Sequence, residues 1–436
     1  MAGNMGKRLY AIIGNPVLHS RSPLIFNYWF QKRNLPAIYS RVLATDLDSA
    51  LNLCQKLNIQ GFNVTAPFKA QILDKIADLS PEVRVIGATN TVIRRDGYLS
   101  SFNTDVNGIL GAMLWGAQQM NKVPALVIGA GGAACAAIYA LKKLGARISV
   151  INRTNEKARQ LAERFGINFW EFADLKQAVR QSKLIVVAIS ENTDLLKPEW
   201  LSCEQILIDA NYVHTTLPTI AAEAGVYYIP GTVWLEQQAR QSFKIFTDEE
   251  APALPDNLVH QNPYSGRLRN LALIGFMGAG KTALGQSLAQ RLRWRFIDID
   301  NVIVHNSGRR ISTIFQKYGE AEFRRLETSA LQQVLRSKNQ VIACGGGIVI
   351  SQHNRQLLQS KTTVIYLHAH PQNIWQRIDK TDRPLLHGIH SLNDAVRLYN
   401  ERQDFYLSIA DAILDTEQMS INQATELLHA EINNLL

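Results

Sequence analysis

Residues 275–285 read GFMGAGKTALG, and no other stretch limits the possible folds of this chain as tightly. The spacing G-x-x-x-x-G-K-[ST] follows the apolar run NLALIGF (270–276) and precedes ALGQSLAQRL, whose pattern predicts a helix. A strand, a glycine turn and a helix in that order make an anion cradle. The N–H groups of Gly278, Ala279 and Gly280 and of the first helical turn converge on one point. Lys281 adds a point charge for β- and γ-phosphates, and Thr282 offers a hydroxyl to Mg²⁺. The loop starts nearly two-thirds of the way along, so the residues before it need a purpose of their own.

At 436 residues the chain is too long for one hydrophobic core and predicts two or three domains. Apolar β-rich runs alternate with helical stretches throughout: LYAIIG (9–14), ALVIGA (125–130), RISVIN (147–152), KLIVVAIS (183–190), VIACGG (341–346) and TVIYLHA (363–369). Continuous Val, Ile and Leu without polar alternation suit parallel strands buried on both faces, so the class is α/β. Residues 247–270 break the rhythm with three prolines and no periodicity, and read as a flexible linker between separately folded units. The net charge of +9 is spread without long basic runs. That pattern favours an enzyme of anionic small molecules over a nucleic-acid binder. Four scattered cysteines without a C-x-x-C give neither a metal site nor a disulfide framework. No apolar run is long enough for a membrane helix and the N-terminal residues lack a secretory pattern, so the cytoplasm is expected.

Beyond the phosphate loop, the run FIDID places Asp298 and Asp300 at i and i+2, on one face if both lie in the strand. Asp298 could then join the metal shell while Asp300 faces an acceptor. Isolated arginines follow in EAEFRRLE (320–327), DRPLL (382–386) and NERQDFY (400–406), with a glycine turn in CGGG (344–347). Together these motifs resemble shikimate kinase over essentially 269–436. The resemblance implies ATP and Mg²⁺ as cofactors and Asp300 at the reacting hydroxyl. It also implies Arg324 and Arg402 on the substrate carboxylate, Gly345, Gly346 and Gly347 at the ring, Arg383 in a lid and Arg377 beside the adenine. Asp404 departs from the family, which commonly has proline there.

The run ALVIGAGGAACAAIYAL gives G-x-G-x-x-A (Gly129, Gly131, Ala134) between a strand and a helix, with Ala130, Gly132 and Ala133 completing the turn. That is a dinucleotide βαβ context. The second strand runs into Asn152, Arg153 and Thr154 where an NAD site would carry an acid, so NADP(H) is expected, the alternative being a helix-capping turn. Upstream, GNPVLHSRSP offers Ser20 and Ser22, GFNVTAPFK offers Asn63, Thr65 and Lys69, GATNT offers Asn90, and FNTDVNG offers Asn103 and Asp105. Many neutral hydrogen-bonding groups with one Lys and one Asp suit a polyhydroxylated ligand. In order, they resemble shikimate dehydrogenase over roughly 5–247. This implies Lys69 and Asp105 as the catalytic pair, with Ser20, Ser22, Thr65, Asn90, Tyr212 and Gln238 as substrate ligands. Which member of the pair carries the proton stays open. Val233 and Trp234 depart from the family's usual second glycine.

The expected architecture is an α/β substrate domain (5–110, completed by helix 232–247), a Rossmann NADP domain (111–231), a linker (248–268), and a P-loop kinase domain with a parallel sheet (269–436). The expected reactions are NADPH-dependent reduction of 3-dehydroshikimate and ATP-dependent phosphorylation of the shikimate so formed. The partners are small molecules, with no nucleic acid and no membrane. The rival readings are a quinate-type dehydrogenase on NAD joined to another polyol kinase, or one half kept as a ligand sensor.

Overall fold

The computed structural model describes residues 7–115, 120–189, 195–213, 215–375 and 391–435. The first strands are β1 (Arg8–Gly14), β2 (Ala37–Leu43), β3 (Gly61–Val64), β4 (Asp78–Leu79), β5 (Thr91–Arg95) and β6 (Tyr98–Phe102). Next come β7 (Pro124–Ile128), β8 (Arg147–Ile151), β9 (Asn168–Phe169), β10 (Leu184–Val187), β11 (Ile206–Asp209) and β12 (Tyr227–Ile229). The last are β13 (Asn270–Ile274), β14 (Arg295–Asp298), β15 (Gln340–Ala343), β16 (Thr363–His368) and β17 (Ala412–Asp415). β13 and β16 are buried at every position, as continuous apolar runs require of strands covered on both faces. No described helix is long and apolar enough to cross a membrane.

The chain packs as two units. One gathers the residues up to Pro23, Asn34–Ile59 and those from Gln261 onward; the other holds Leu24–Arg33 and Gln60–His260.

In the first unit the strands run β14-β15-β13-β16-β17-β2-β1, every neighbouring pair parallel. The pairing of β17 with β2 sets Ile413 beside Val42 and Leu414 beside Leu43. Side chains reinforce this join. Glu431, on helix Ile421–Asn433, accepts the N–H groups of Val17 at 2.8 Å and Leu18 at 2.9 Å. Arg41 donates to the carbonyl of Asp411 at 2.9 Å.

In the second unit β12-β11-β10-β7-β8-β9 form a wholly parallel sheet. That is the doubly wound dinucleotide order, whose switch point falls between β7 and β10. A further run, β3-β5-β6-β4, is antiparallel except for β4 with β6. Helix Gly231–Thr247 lies so close to helix Asp105–Trp115 that a Cβ on Gly108 would stand 2.3 Å from the Trp234 ring. Only glycine permits that crossing. It brings Gln238 up to the strand ends.

Residues 248–268 are not the free coil their prolines and mixed charge suggest. Within the second unit, Glu250 O accepts from Arg33 Nη2 at 2.6 Å, Ala251 O from Arg240 at 2.9 Å, and Pro252 O from the Trp29 indole at 3.0 Å. Within the first, the buried Tyr264 hydroxyl donates to Leu18 O at 3.0 Å, and Arg267 forks onto Asp411 at 2.7 and 2.8 Å. Carbonyls with specific donors and a buried aromatic ring replace the conformational freedom that composition alone predicts.

Candidate active sites

β13 runs into a loop in which Gly275, Gly278 and Gly280 take positive φ, the last at the N-cap of helix Lys281–Leu292. Among the described residues no side chain caps that helix start, which leaves its first-turn N–H groups for an anion. Lys281 Nζ donates to Gly275 O at 2.9 Å and Phe276 O at 2.8 Å, holding the ammonium over the loop. Thr282 Oγ1 donates to Asp298 Oδ2 at 3.0 Å, so a hydroxyl and a carboxylate stand together beside the cradle. Asp298 Oδ1 accepts from Asp300 N at 3.0 Å and caps helix Ile299–Ser307. Asp298 and Asp300 therefore do not share a strand face, as their spacing suggests. The cap ends the strand at Asp298 and puts Asp300 in the first helical turn.

Asp300 belongs to a second cluster around the glycines after β15. A Cβ on Gly345 would stand 3.2 Å from both Asp300 Oδ1 and Glu327 Oε1, and one on Gly347 only 2.4 Å from Arg324 Nη2. Arg324 donates to Glu327 Oε2 at 2.9 Å and to Glu320 Oε1 at 3.0 Å. Gly346 O accepts from Arg402 at 3.3 Å and from the Tyr406 hydroxyl. The sequence-predicted Asp300, Arg324, Gly345–Gly347 and Arg402 are thus brought together. Arg377 and Arg383 lie outside the described residues.

Burial sets the charges of this cluster. It pushes the Glu327 carboxyl up to about 7, with Arg324 opposing and the like charge of Asp300 adding to the rise. The Arg324 pair is short, yet desolvation wins because the carboxylate is fully buried. Burial also lowers the pKa of Arg402, and the neighbouring Arg324 cation adds to the fall. Arg324 already has carboxylate partners, whereas Arg402, mostly buried, bonds the Gly346 carbonyl and has no ion pair among the described residues, a charge that an anionic ligand would balance.

In the second unit, Lys69 Nζ lies 2.5 Å from Asp105 Oδ2. The lysine comes from the short helix Phe68–Gln71 and the aspartate from the first turn of helix Asp105–Trp115. Asn90 Nδ2 donates to Gln238 Oε1 at 2.8 Å, and Thr104 N fixes its oxygen at 2.7 Å. Asn63 serves the framework, its Nδ2 lying 3.0 Å from each of Asn90 O, Thr91 Oγ1 and Ser242 Oγ and sharing its two hydrogens among them. Asn103 anchors its amide on Ala88 O at 2.8 Å, while its buried Oδ1 has no partner among the described residues. Thr65 turns the chain, its carbonyl accepting from Phe68 N at 3.0 Å. Tyr212 is half-buried in the turn after β11. Ser20 and Ser22 belong to the first unit, where Ser20 Oγ donates to Ser22 Oγ at 3.2 Å.

β7 leads into Gly129, at φ 124°, and Gly131 caps helix Gly132–Lys143 with no side-chain bond. A Cβ on Gly131 would meet nothing within 4 Å among the described residues, which leave the backbone face between Ala130 and Ala133 open. A Cβ on Gly132 would stand 3.4 Å from Lys69 Cδ, which puts the lysine beside the start of this helix. After β8, Asn152 Nδ2 bonds Thr154 O at 3.1 Å and Arg153 is exposed, with no acidic residue at the strand end.

Comparison with known proteins decides the family. The model for the shikimate dehydrogenase substrate binding domain matches residues 12–92 and that for shikimate / quinate 5-dehydrogenase matches 115–210. The model for shikimate kinase matches 277–432. The shikimate dehydrogenase (NADP(+)) of Pyrococcus furiosus is 36% identical over 250 residues, 56% of this chain and 91% of its own length. The shikimate kinase of Enterococcus faecalis is 43% identical over 157 residues, 35% of this chain and 92% of its own. The chain belongs to both the shikimate dehydrogenase and the shikimate kinase families. It is a fusion of two shikimate-pathway enzymes, an oxidoreductase followed by a kinase. Among solved structures, the Aquifex aeolicus dehydrogenase is 30% identical with a TM-score of 0.54, covering 60% of this chain and 98% of that one. The Thermus thermophilus dehydrogenase, in complex with NADP(H) and shikimate, is 30% identical with a TM-score of 0.53, covering 58% of this chain and 97% of that one.

In the kinase part, sequence reasoning passed over Glu327 and Tyr406. Both carried a signal: each stands three or four helical positions from a named arginine, the spacing at which side chains meet on one helix face.

Proposed function

We propose that the dehydrogenase part (5–247) reduces 3-dehydroshikimate to shikimate and the kinase part (269–436) phosphorylates the 3-hydroxyl of shikimate. On this reading residues 5–110, completed by helix 232–247, serve the substrate, 111–231 serve NADP, and 248–268 lie between the activities in sequence. The carrying observation is the Lys69–Asp105 pair, at 2.5 Å, against the start of the helix that Gly131 caps.

The residues fit the groups the reactions need. The bare backbone at Gly129–Ala133 suits a pyrophosphate, and Arg153 with Asn152 and Thr154, at a strand end lacking an acid, suits a 2′-phosphate. In the kinase part, Gly278–Lys281 would hold the ATP phosphates, and Thr282 with Asp298 would hold Mg²⁺, which uses few protein oxygens beside phosphates and water. When bound, NADPH supplies a hydride and ATP a phosphoryl group whose charge Mg²⁺ spreads.

Lys69 donates a proton to the carbonyl oxygen of dehydroshikimate, and Asp105 fixes the direction of its ammonium. Asn90, Gln238 and Thr65 bind substrate hydroxyls. Ser20, Ser22 and Tyr212 take the same role on the strength of their motifs. Asp300 accepts the proton of the 3-hydroxyl, Arg324 and Arg402 hold the carboxylate, and Gly345–Gly347 let backbone approach the ring. Arg377 and Arg383 keep their proposed nucleotide roles from their motifs.

The test supplies the purified chain with 3-dehydroshikimate, NADPH, ATP and Mg²⁺ and identifies products by mass spectrometry. Shikimate 3-phosphate is expected. Lys69→Met should leave dehydroshikimate untouched, and Lys281→Ala should accumulate shikimate. A parent chain that uses NADPH poorly against NADH, or prefers quinate, overturns the cofactor or substrate assignment.

A further inference from the structure

The strand β17 ends at Asp415, and the turn after it touches the phosphate loop. Thr416 Oγ1 lies 3.1 Å from Ala279 O and 3.2 Å from His368 O, so its one hydroxyl proton is shared between the two carbonyls. The carboxylates on either side of Thr416 are Asp415 and Glu417, and a single ammonium meets both. Lys56 Nζ lies 2.7 Å from Asp415 Oδ2 and 2.6 Å from Glu417 Oε2. Lys56 closes the last turn of helix Leu47–Lys56, which follows β2 inside the region matched to the dehydrogenase substrate domain.

The rest of the turn is tied just as closely. Glu417 Oε1 accepts from His370 N at 2.6 Å and its Oε2 from Asn373 Nδ2 at 2.8 Å, while Glu417 N donates to Asp415 Oδ1 at 2.9 Å. Desolvation alone would lower the pKa of Lys56, but bonds to both acids outweigh it and raise the value above that of an ordinary lysine. Burial works against the Glu417 charge, yet Lys56, the His370 N–H and Asn373 hold its carboxyl below the usual range. All these groups lie in the first unit, where β2 pairs directly with β17. The dehydrogenase chemistry assigned above has no use for Lys56.

We propose that Lys56 is a positioning residue for the nucleotide site of the kinase, supplied by the dehydrogenase part of the chain. It clamps the two carboxylates that flank Thr416, and Thr416 in turn holds the phosphate loop at Ala279. Without the ammonium, two neighbouring carboxylates repel at low solvent exposure, the turn shifts, and the loop loses its fixed spacing for phosphate. The inference rests on the kinase reading.

The full-length chain is tested with Lys56→Met, Lys56→Arg, Thr416→Val and the double variant Lys56→Met with Thr416→Val. Kinase kinetics, dehydrogenase kinetics and the affinity for a non-hydrolysable ATP analogue are measured on each. Lys56→Met should raise the KM for ATP and the analogue Kd about tenfold, leaving kcat, the KM for shikimate and the dehydrogenase rates within about twofold. Lys56→Arg should restore most of the affinity, because a guanidinium also bridges two carboxylates. The double variant should be no worse than Thr416→Val, since both act through one contact. Unchanged analogue affinity in Lys56→Met, a uniform loss in kcat and both KM values, or additive effects in the double variant would overturn the proposal. If Lys56→Met fails to fold, Lys56→Gln is read by the same analogue titration. A parent chain that binds the analogue but phosphorylates no shikimate refutes the substrate reading, and the analogue affinities still decide the role of Lys56.

Discussion

Gly347 leaves no space for a methyl group, since the added carbon would stand 2.4 Å from Arg324 Nη2 and 2.6 Å from Nη1. The obstacle is the far end of a flexible side chain, so the fold should survive Gly347→Ala while the guanidinium moves. The KM for shikimate is expected to rise about tenfold, with the KM for ATP and the melting temperature nearly unchanged. Glu327, the anchor of that arginine, supplies a pH signature. Its folded pKa is about 7 against an ordinary 4.5, with desolvation as the first cause. Between those values the folded chain binds more protons than the unfolded one, so stability falls as pH rises. The contribution is complete below the unfolded value and lost above the folded one, on the order of 3 kcal/mol at most. Melting the kinase part between pH 4.5 and 8 should show this decline, and Glu327→Gln should flatten it. An equal slope in the variant would assign the effect to another group. That Lys281 and Thr282 open the helix after the glycine loop was legible in the sequence, because a motif fixes their spacing, whereas the helical position of Asp300 was not, because it depends on the Asp298 cap. The charge state of Glu327 was not, because it depends on what the folded chain stacks around it.

Strands were the most legible elements. The runs at 9–14, 125–130, 270–276 and 363–369 became β1, β7, β13 and β16 within a few residues, since an unbroken apolar run can only be satisfied between two covering layers. What the strands pair with was not legible. Nothing in VLATD (42–46) or AILDT (412–416) marks them as neighbours, because parallel pairing over so long a separation leaves no local trace. The segment 248–268 misled for the opposite reason: its composition is that of a linker, while its anchors are backbone carbonyls that composition cannot reveal. Tyr264 is the test of that segment. Its ring is fully buried, with the guanidinium groups of Arg41 at 5.5 Å and Arg267 at 5.2 Å from its centroid. Tyr264→Ala should destabilise the first unit by roughly 3–5 kcal/mol, seen as a lower denaturation midpoint. Tyr264→Phe should cost about 1 kcal/mol for the lost bond to Leu18 O. A flexible tether would tolerate both changes without effect.

At the scale of the whole molecule, the families and the packing divide the chain differently. The kinase match covers 277–432, but the structural unit around it also takes in β1 and β2, which lie within or beside the dehydrogenase match. The bonds that join these segments include the β2–β17 pairing, Glu431 on Val17 and Leu18, Lys56 on Asp415 and Glu417, and Arg41 on Asp411. A cooperative unit opens as one, so a ligand that stabilises any part of it stabilises all of it. An ATP analogue with shikimate, each at about 100 times its Kd, adds roughly 2.7 kcal/mol apiece to whatever opens with the kinase. Amides of β1 and β2 should then exchange with deuterium at least about 100-fold more slowly, in step with those of β13 and β16. Strands β7, β8 and β10 should respond instead to NADP. If the kinase ligands protect β13 and β16 and leave β1 and β2 untouched, the shared sheet is not a cooperative unit, and the fusion joins two enzymes that open independently.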